Sequence, residues 1–507
     1  MLIRSRALAS VALATLVAGF AAPAWAETLQ EALALAYRTN PTLLAQRASQ
    51  RSLDETIVQA RAGLRPRVDL SSTASYSRTD SKGGGSRDIN GDGIPDLVTG
   101  GVSESNSGSA SVGLSQSIYS GGRIGHGITV AEANILAGRE DLRNVEQQVL
   151  TSVIQAYADV LRDMEILQVR QDNITVLQRQ LDESSARFEV GEITRTDVAQ
   201  SEARLAQSDA DLANARAQLS VSRAAYAAVV GQAPSDLSAL PALPGVPTDF
   251  DVALNVALAE NPSVRAADYN LQAAEARVAA ARAEYRPSAR LTASYGGSST
   301  LNNFDLADRT AFQASASVSV PLFTGGLNRS RVSQALEQAN VAQINGEGRR
   351  RQVLQSVSNA YAQVISARAA LQAGQEAVRA ASVAAEGVRQ EAQVGLRTTL
   401  DVLNQELELR SAQVALASAR RNEYVAQAQL LASMGRLEGQ DLDPNIDVYD
   451  ARANYERVRN NGALPWDGVI EAFDRIAAPP VVPANDAEDA PIDQRLKSEI
   501  IRTAPDQ

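Results

Sequence analysis

The chain has 507 residues, of which 44% are hydrophobic, so it can bury a large core. Its 59 Asp and Glu outnumber 48 Lys and Arg, and the resulting net charge of -11 argues against binding to nucleic acid. The absence of cysteine and the single histidine, His126, exclude thiol catalysis, disulfide frameworks and zinc sites rich in these residues. Aromatic residues make up only 4%, which favours long helices over an aromatic-lined enzyme pocket.

The first 26 residues have the pattern of a secretory signal peptide. Arg4 and Arg6 precede a short apolar stretch, and Ala24-Trp25-Ala26 supplies the small residues of a cleavage site. A membrane anchor is the weaker alternative, because Ser10 and Thr15 interrupt the apolar stretch. No later segment has the roughly 18 uninterrupted apolar residues of a spanning helix, so the exported chain is expected to be soluble or to form a β-barrel.

The remaining chain carries the same landmarks twice. Asn40-Pro41 and Arg65-Pro66 recur 221 residues later, at Asn261-Pro262 and Arg286-Pro287. Five further landmarks recur at a constant offset of 204 residues: Gly121-Gly122 with Gly325-Gly326, Tyr157 with Tyr361, Gly191 with Gly395, Asp197 with Asp401, and Gly231 with Gly435. The constant offset indicates an internal duplication, with an insertion of about 17 residues in the first copy.

This duplication divides the chain into a first repeat at 27–231, a proline-rich linker at 232–249, a second repeat at 250–437 and a C-terminal extension at 438–507. The end of the extension is rich in Pro, Ala and Asp, so the extension is expected to be partly disordered. Tyr449 and Trp466 are expected to pack the rest of the extension on the middle of the helical region.

Each repeat is predicted to begin with two helices, one before the Asn-Pro and one running from it to the Arg-Pro. A pair of β-strands follows, at about 66–120 and about 288–323. The clearest strand has apolar residues at every second position, which are Phe312, Ala314, Ala316, Val318, Val320 and Leu322. Its length and alternation suit a tilted strand between lipid and an aqueous lumen, and a strand of a soluble sandwich is the alternative.

A long helical hairpin is predicted after each Gly-Gly, at about 122–231 and about 326–435. Apolar residues between Val153 and Leu181 recur on average every 3.5 residues, the period of a left-handed coiled coil. The 68 residues from Arg123 to Val190, if helical throughout, would span roughly 100 Å. No globular core requires a helix of that length.

Four strands cannot close a barrel, so the chain is expected to assemble. Two copies would supply eight strands, whose barrel is filled by side chains. Three copies would supply twelve strands and leave an aqueous lumen. A duct therefore favours three copies or more.

Two turn motifs complete the pattern, and they read Val190-Gly191-Glu192-Ile193-Thr194-Arg195-Thr196-Asp197-Val198 and Val394-Gly395-Leu396-Arg397-Thr398-Thr399-Leu400-Asp401-Val402. Together with the duplication and the order of strands, Gly-Gly and long helix, they resemble the TolC family of outer-membrane secretion and efflux ducts. The resemblance extends to about Leu437. It implies a mixed α and β fold, in which a homotrimer forms a twelve-strand transmembrane β-barrel and a long periplasmic coiled-coil barrel, without enzymatic activity.

The resemblance also assigns roles to the ends of the hairpins. Gly191 and Gly395, which the sequence predicts as left-handed helix ends, would be hairpin tips. A periplasmic adaptor would dock at the tips, on Val190, Gly191, Thr194, Val394, Gly395, Leu396 and Thr398. Turns with no further role are the alternative.

A pore constriction is implied just beyond the second tip, at Asp401 and Asn404, which share one helical face. Family members commonly have aspartate at both positions, so Asn404 leaves one ring of three carboxylates here. Thr196, Asp197 and Arg397 match positions that hold neighbouring hairpins closed. The family tyrosine three residues before the second tip glycine is replaced by Ala392.

The insertion in the first copy has the spacing of a calcium-binding loop. Its ligand positions are Asp88, Asn90, Asp92, Ile94 and Asp96, with Gly93 at the sharp turn. Thr99 stands where such loops usually have glutamate, so a weak calcium site in the first extracellular loop is predicted. A polar surface loop without metal is the alternative, and no other cofactor is expected.

These features predict a passive outer-membrane export duct with its helical barrel in the periplasm. The implied partners are a periplasmic membrane-fusion adaptor, an inner-membrane ABC transporter or proton-driven efflux pump, and outer-membrane lipids. The absence of a lipid-anchoring cysteine favours type I protein secretion over drug or small-molecule efflux. A coiled-coil adaptor would leave the strands unexplained, and a hydrolase would need a phosphate loop, nucleophile elbow or metal helix that the sequence lacks.

Overall fold

The computed structural model describes residues 26–81, 86–87, 91, 97–98, 101–301, 305–307 and 309–483. Residues 1–25 of the predicted signal peptide and 484–507 of the extension lie outside these ranges. The described part of the chain is mostly helical and contains one four-stranded antiparallel sheet. None of the described helices combines the length and the apolar character needed to cross a membrane.

The two repeats contain equivalent helices in the same order, except that the first repeat has one additional short helix. The first contains α1 (Leu29–Thr39), α2 (Pro41–Asp54), α3 (Thr56–Ala62), α4 (Arg123–Glu189) and α5 (Arg195–Val230). The second contains α6 (Phe250–Glu260), α7 (Pro262–Ala283), α8 (Leu327–Gln393) and α9 (Thr399–Met434). The long helices α4 and α8 have 67 residues each, so each extends roughly 100 Å.

One helix prediction is wrong in the first repeat. The helix expected from Asn40-Pro41 to Arg65-Pro66 is broken at Glu55 into α2 and α3, whereas α7 is continuous. At the break, the hydroxyl of Thr56 donates to the carbonyl of Leu53 over 2.6 Å. Such a side-chain bond competes with the helical backbone ladder, and it has no periodicity that would reveal it in the sequence.

The repeated Asn-Pro landmark starts a helix and ties it to a long hairpin. Asn40 and Asn261 are the N-caps of α2 and α7, with proline at the first helical position of each. Their side-chain amides donate to the carbonyls of Val229 (3.0 Å) and Ser433 (2.8 Å), at the ends of α5 and α9. The same residue pair therefore sets the same packing in both repeats.

The sheet is assembled from one strand pair of each repeat. Its strands are β1 (Arg67–Ser81), β4 (Gly101–Tyr119), β5 (Ser288–Thr300) and β6 (Thr310–Ser319), in the order β1-β4-β5-β6. Two short strands, β2 (Ser86–Arg87) and β3 (Leu97–Val98), pair separately. Within one chain, β1 and β6 are the edges of the four-stranded sheet.

The register gives the sheet one apolar face and one polar face. One cross-strand row on the apolar face consists of Leu70, Val112, Tyr295 and Phe312, and the next of Val68, Leu114, Ala293 and Ala314. On the opposite face, hydroxyl pairs connect neighbouring strands, as between Ser71 and Ser111 (2.9 Å) and between Thr292 and Ser315 (2.8 Å). The large side chains of the apolar face are largely exposed in the single chain.

The two largest buried cores lie in the helical region, around equivalent tyrosines. Tyr157 donates its hydroxyl to the carbonyls of Glu27 and Ser238, each over 2.8 Å. Tyr361 donates to the carbonyl of Thr248 over 2.7 Å. Each tyrosine therefore joins a long helix to the segment that precedes the short helices of its repeat.

The described part of the C-terminal extension forms three short helices, α10 (Gly439–Leu442), α11 (Ala451–Val458) and α12 (Asp467–Asp474). Tyr449 packs as expected: its N–H donates to the hydroxyl of Tyr37, and the guanidinium of Arg47 lies against both rings. The expectation for Trp466 is wrong, because 47% of this residue is exposed.

Candidate functional site: the tips of the helical hairpins

Both hairpin tips are built on a glycine. Gly191 and Gly395 have φ of 81° and 80°, in the left-handed region that side chains disfavour. The next residue, Glu192 or Leu396, donates its N–H to a carbonyl of the long helix over 2.9 Å. The chain thus ends one helix and reverses direction within a few residues, as the sequence predicts.

A capping box starts each returning helix. The carboxylate of Asp401 accepts from the backbone N–H (3.0 Å) and the hydroxyl (2.8 Å) of Thr398, and these bonds hold the pKa of Asp401 below its ordinary 3.8. Asp197 accepts from the hydroxyl (2.8 Å) and the N–H (2.9 Å) of Thr194, which likewise lower the pKa of Asp197. Both aspartates are therefore ionised at neutral pH.

The residues predicted for adaptor docking form an accessible surface in the single chain. All of them are exposed, and they include the apolar side chains of Val190, Val394 and Leu396 at the outermost positions. Exposed apolar side chains at a turn suit a contact surface for another protein.

A direct contact joins the two hairpins near the predicted constriction. The guanidinium of Arg204, on α5, donates to the side-chain oxygen of Asn404, on α9, over 3.1 Å. Asn404 lies three residues beyond Asp401, one helical turn away. Sequence reasoning missed Arg204, because its equivalent in the second repeat is Glu408 and the duplication therefore gives no signal.

The three residues predicted to hold neighbouring hairpins closed make local contacts within this chain. Arg397 donates to Glu391 of its own hairpin over 2.8 Å, and Asp197 belongs to the capping box of α5. Thr196 is exposed. Their predicted role between subunits stays a prediction.

The two hairpins are cross-linked by different chemistry. In the first, buried polar side chains pair between α4 and α5: Ser184 with Ser201 (3.2 Å), and Asn173 with Ser208 (2.8 Å). In the second, the buried carboxylate of Glu406, on α9, pairs with Arg389 of α8 and lies 3.5 Å from the guanidinium of Arg410. The helices of the second hairpin, near the predicted constriction, are therefore joined by an ion pair, whereas those of the first are joined by hydrogen bonds between neutral side chains.

The predicted calcium ligands, Asp88, Asn90, Asp92, Ile94 and Asp96, lie outside the described residues. In the ranges that are described, no group of three or more histidine, aspartate or glutamate residues is arranged to hold a metal ion. The calcium site therefore stays a prediction.

Comparison with known proteins identifies the family. The family model of the outer membrane efflux protein matches residues 32–232 and 253–436, in both repeats. The chain belongs to this family. It is an outer-membrane protein of a family of passive channels, not enzymes, and the predicted relationship to TolC is confirmed.

Three relatives show the range of the family. The outer membrane efflux protein BepC of Brucella suis biovar 1 is 33% identical over 88% of this chain and 92% of its own length. The outer membrane protein TolC of Escherichia coli is 28% identical, over 84% of this chain and 86% of its own length. The alkaline protease secretion protein AprF of Pseudomonas aeruginosa is 27% identical, over 61% of this chain and 66% of its own length.

The fold is also that of solved outer-membrane channels. The outer membrane protein VceC from Vibrio cholerae superposes with a TM-score of 0.65 at 21% identity, over 80% of this chain and 96% of that chain. The mixed fold of an antiparallel sheet and long helical hairpins is therefore confirmed.

Proposed function

We propose that three copies of the chain form a passive export duct that crosses the outer membrane and extends into the periplasm. The observation that carries this proposal is the four-stranded sheet, which has an apolar face along its whole width and two edges within one chain. Exposed edges of membrane strands need partners, because lipid cannot satisfy backbone N–H and C=O groups. Three sheets joined edge to edge would close a twelve-strand barrel around a lumen.

Reconstitution in planar bilayers tests the duct. The purified protein is expected to conduct ions without an energy source, and native mass spectrometry of the detergent-extracted protein is expected to give the mass of three chains. A protein that conducts no ions in any state, or that is stable as a monomer, would contradict the proposal.

The hairpin tips are proposed as the docking site of a periplasmic membrane-fusion adaptor, which would connect the duct to an inner-membrane ABC transporter or proton-driven efflux pump. The exposed apolar side chains of Val190, Val394 and Leu396 support this role. Beyond the second tip, the Asp401 carboxylates of three copies would form the constriction. The Arg204–Asn404 contact would hold its two hairpins together.

Type I protein secretion is the proposed transport class. The name of AprF refers to protease secretion, and this chain has no cysteine for a lipid anchor. The alternative, drug or small-molecule efflux, is favoured by the name of BepC. Deletion of the gene separates the two: loss of a major protein from the culture medium is expected, whereas loss of drug resistance alone would overturn this assignment.

Calcium binding by Asp88, Asn90, Asp92, Ile94 and Asp96 is proposed for the first extracellular loop, with low affinity because Thr99 replaces the usual glutamate. Calcium is expected to protect residues 86–98 from protease on intact cells. The double substitution Asp88→Ala and Asp92→Ala should abolish this protection.

A further inference from the structure

Helix α12 is fixed at the junction where the sheet meets the long helices. The carboxylate of Asp474, which is fully buried, accepts from the backbone N–H groups of Ser120 and Gly125, at the start of α4. At the other end of α12, Asp467 pairs with Arg65 over 2.8 Å, just before β1. Two carboxylates therefore hold α12 under the β1 and β4 strands.

Helix α12 also touches the apolar face of the sheet. A register shift after Ser117 pairs Tyr119 with Ala289. Ala289 and Leu291 belong to the residues of β5 on the apolar face, so Tyr119 lies on that face as well. The ring of Tyr119 meets that of Phe473 edge to face, with centroids 5.7 Å apart, and its hydroxyl donates to the carbonyl of Ile476 over 3.0 Å. The helix therefore continues the apolar face at its periplasmic end.

The outward side of this helical segment is apolar. Trp466, Val469, Phe473 and Ile476 follow at separations of three and four residues, so they share one face, and all four are exposed. Val469, at the centre, is 72% exposed. The charged pair of Glu471 and Arg475 lies on another side of the helix.

The second repeat has an aromatic residue at the same level. Phe323 is the equivalent of Tyr119 at the offset of 204 residues, and it is 91% exposed. Trp466, Tyr119 and Phe323 thus all lie where the strands end and the helices begin. Tryptophan and tyrosine are characteristic of the boundary between hydrocarbon and water, where one side of the ring is apolar and the other wet.

We propose that the exposed face of α12, formed by Trp466, Val469, Phe473 and Ile476, lies on the lipid surface at the periplasmic side of the outer membrane. This inference rests on the proposed membrane-spanning role of the sheet. Lipid is the favoured occupant because the face joins the apolar side of the sheet through Tyr119. Gln116, the polar residue on that side of β4 between Leu114 and Tyr119, is buried and donates to the carbonyl of Leu64. A short amphipathic helix in this position would act as an interfacial anchor for each subunit.

The tryptophan content of the chain provides the test. Trp25 and Trp466 are its only two tryptophans, and Trp25 lies in the predicted signal peptide, so the exported protein has Trp466 as its sole reporter. In vesicles of phosphatidylethanolamine and phosphatidylglycerol, emission of Trp466 is expected to lie at short wavelength. It should lose intensity with lipids brominated near the headgroup, more than with lipids brominated near the chain end or with aqueous iodide.

Two other results would overturn the proposal. Quenching by iodide but not by lipid would place Trp466 in water. Protection from both quenchers would indicate that a second copy of the chain covers α12, for example through the exposed Leu322 and Phe323 of a neighbouring β6 end.

Two control reporters in the Trp466→Phe background separate this inference from the proposed function. Phe312→Trp, on the apolar face of the sheet, should be quenched by lipid, and Leu396→Trp, at a hairpin tip, by iodide only. If Phe312→Trp responds to lipid and Trp466 does not, only the role of α12 fails. If neither responds to lipid, the membrane-spanning role of the sheet fails as well.

Discussion

At the scale of single residues, the charge of Asp401 is the feature most directly connected to ion conduction. One carboxylate oxygen accepts both bonds from Thr398, so the residue starts α9 and also carries a negative charge. Three such charges around one axis would attract cations and repel anions. We expect Asp401→Asn to lower the cation-to-anion permeability ratio several-fold in planar bilayers, and to weaken block by multivalent cations.

The first repeat provides the matched control. Asp197→Asn changes the same capping box on α5. Asp197 is predicted as a gate contact and not as a constriction residue, so this variant can raise conductance but should keep the selectivity of the unmodified protein. Equal loss of selectivity in both variants would argue against a ring at Asp401. In the single chain, hydrogen bonds from Thr398 lower the pKa of Asp401 below its ordinary 3.8, so the carboxylate is charged at pH 7, where the two variants are compared.

Arg204 is expected to have the opposite effect on selectivity. Its guanidinium places a positive charge beside Asn404, which lies one helical turn beyond Asp401. Arg204→Ala removes both the charge and the bond between hairpins, so cation selectivity and conductance should both rise. Arg204→Gln keeps a donor for Asn404 and should raise selectivity with a smaller change in conductance. Unchanged currents in both variants would exclude Arg204 from the gate.

At the scale of elements, the two hairpins should differ in how their inner contacts respond to charge removal. Glu406 is buried between Arg389 and Arg410, so Glu406→Gln leaves Arg410 without its counter-charge and leaves Arg389 paired with Glu386 alone. Loss of a buried partner is costly, but Arg389 is 41% exposed and therefore screened. We expect local stability of the second hairpin to fall by about 1–2 kcal/mol, or about 5- to 30-fold faster amide exchange.

Hydrogen–deuterium exchange at the two tips measures this difference. Glu202→Gln is the matched control, because Glu202 is the equivalent residue of the first repeat and is exposed on α5. It should leave exchange in both hairpins unchanged. If Glu406→Gln has no more effect than Glu202→Gln, the buried ion pair does not stabilise the second hairpin.

The elements that the sequence predicts well are those with a long regular period. The end of α4 is predicted to within one residue, because coiled-coil spacing continues up to Val190 and Gly191 stops it. The break at Glu55 and the docking of α12 depend on single contacts between unlike residues, which leave no period. The Arg204–Asn404 contact joins residues far apart in sequence and arises only once two supercoiled hairpins lie side by side.

At the scale of the whole molecule, the sheet explains why the chain would assemble. Its edges β1 and β6 lie on opposite sides of one subunit, so edge pairing between copies is head to tail, and only a closed ring leaves no strand edge unpaired. Strand tilt and shear set how many copies close it, and three copies leave a lumen where two would leave a filled barrel. The same pairing would bring the four long helices of each copy into one wall.

Cysteine cross-linking tests this ring, and the chain has no cysteine that would interfere. Leu70→Cys on β1 can be combined in turn with Phe312→Cys, Ala314→Cys or Ala316→Cys on β6, because barrel shear shifts the partner along the strand. With head-to-tail pairing, one combination should give covalent products of two and three chains, whereas each single substitution should remain monomeric under denaturing conditions. A ladder that stops at two chains would indicate a dimer, and one that continues beyond three would indicate an open or larger assembly.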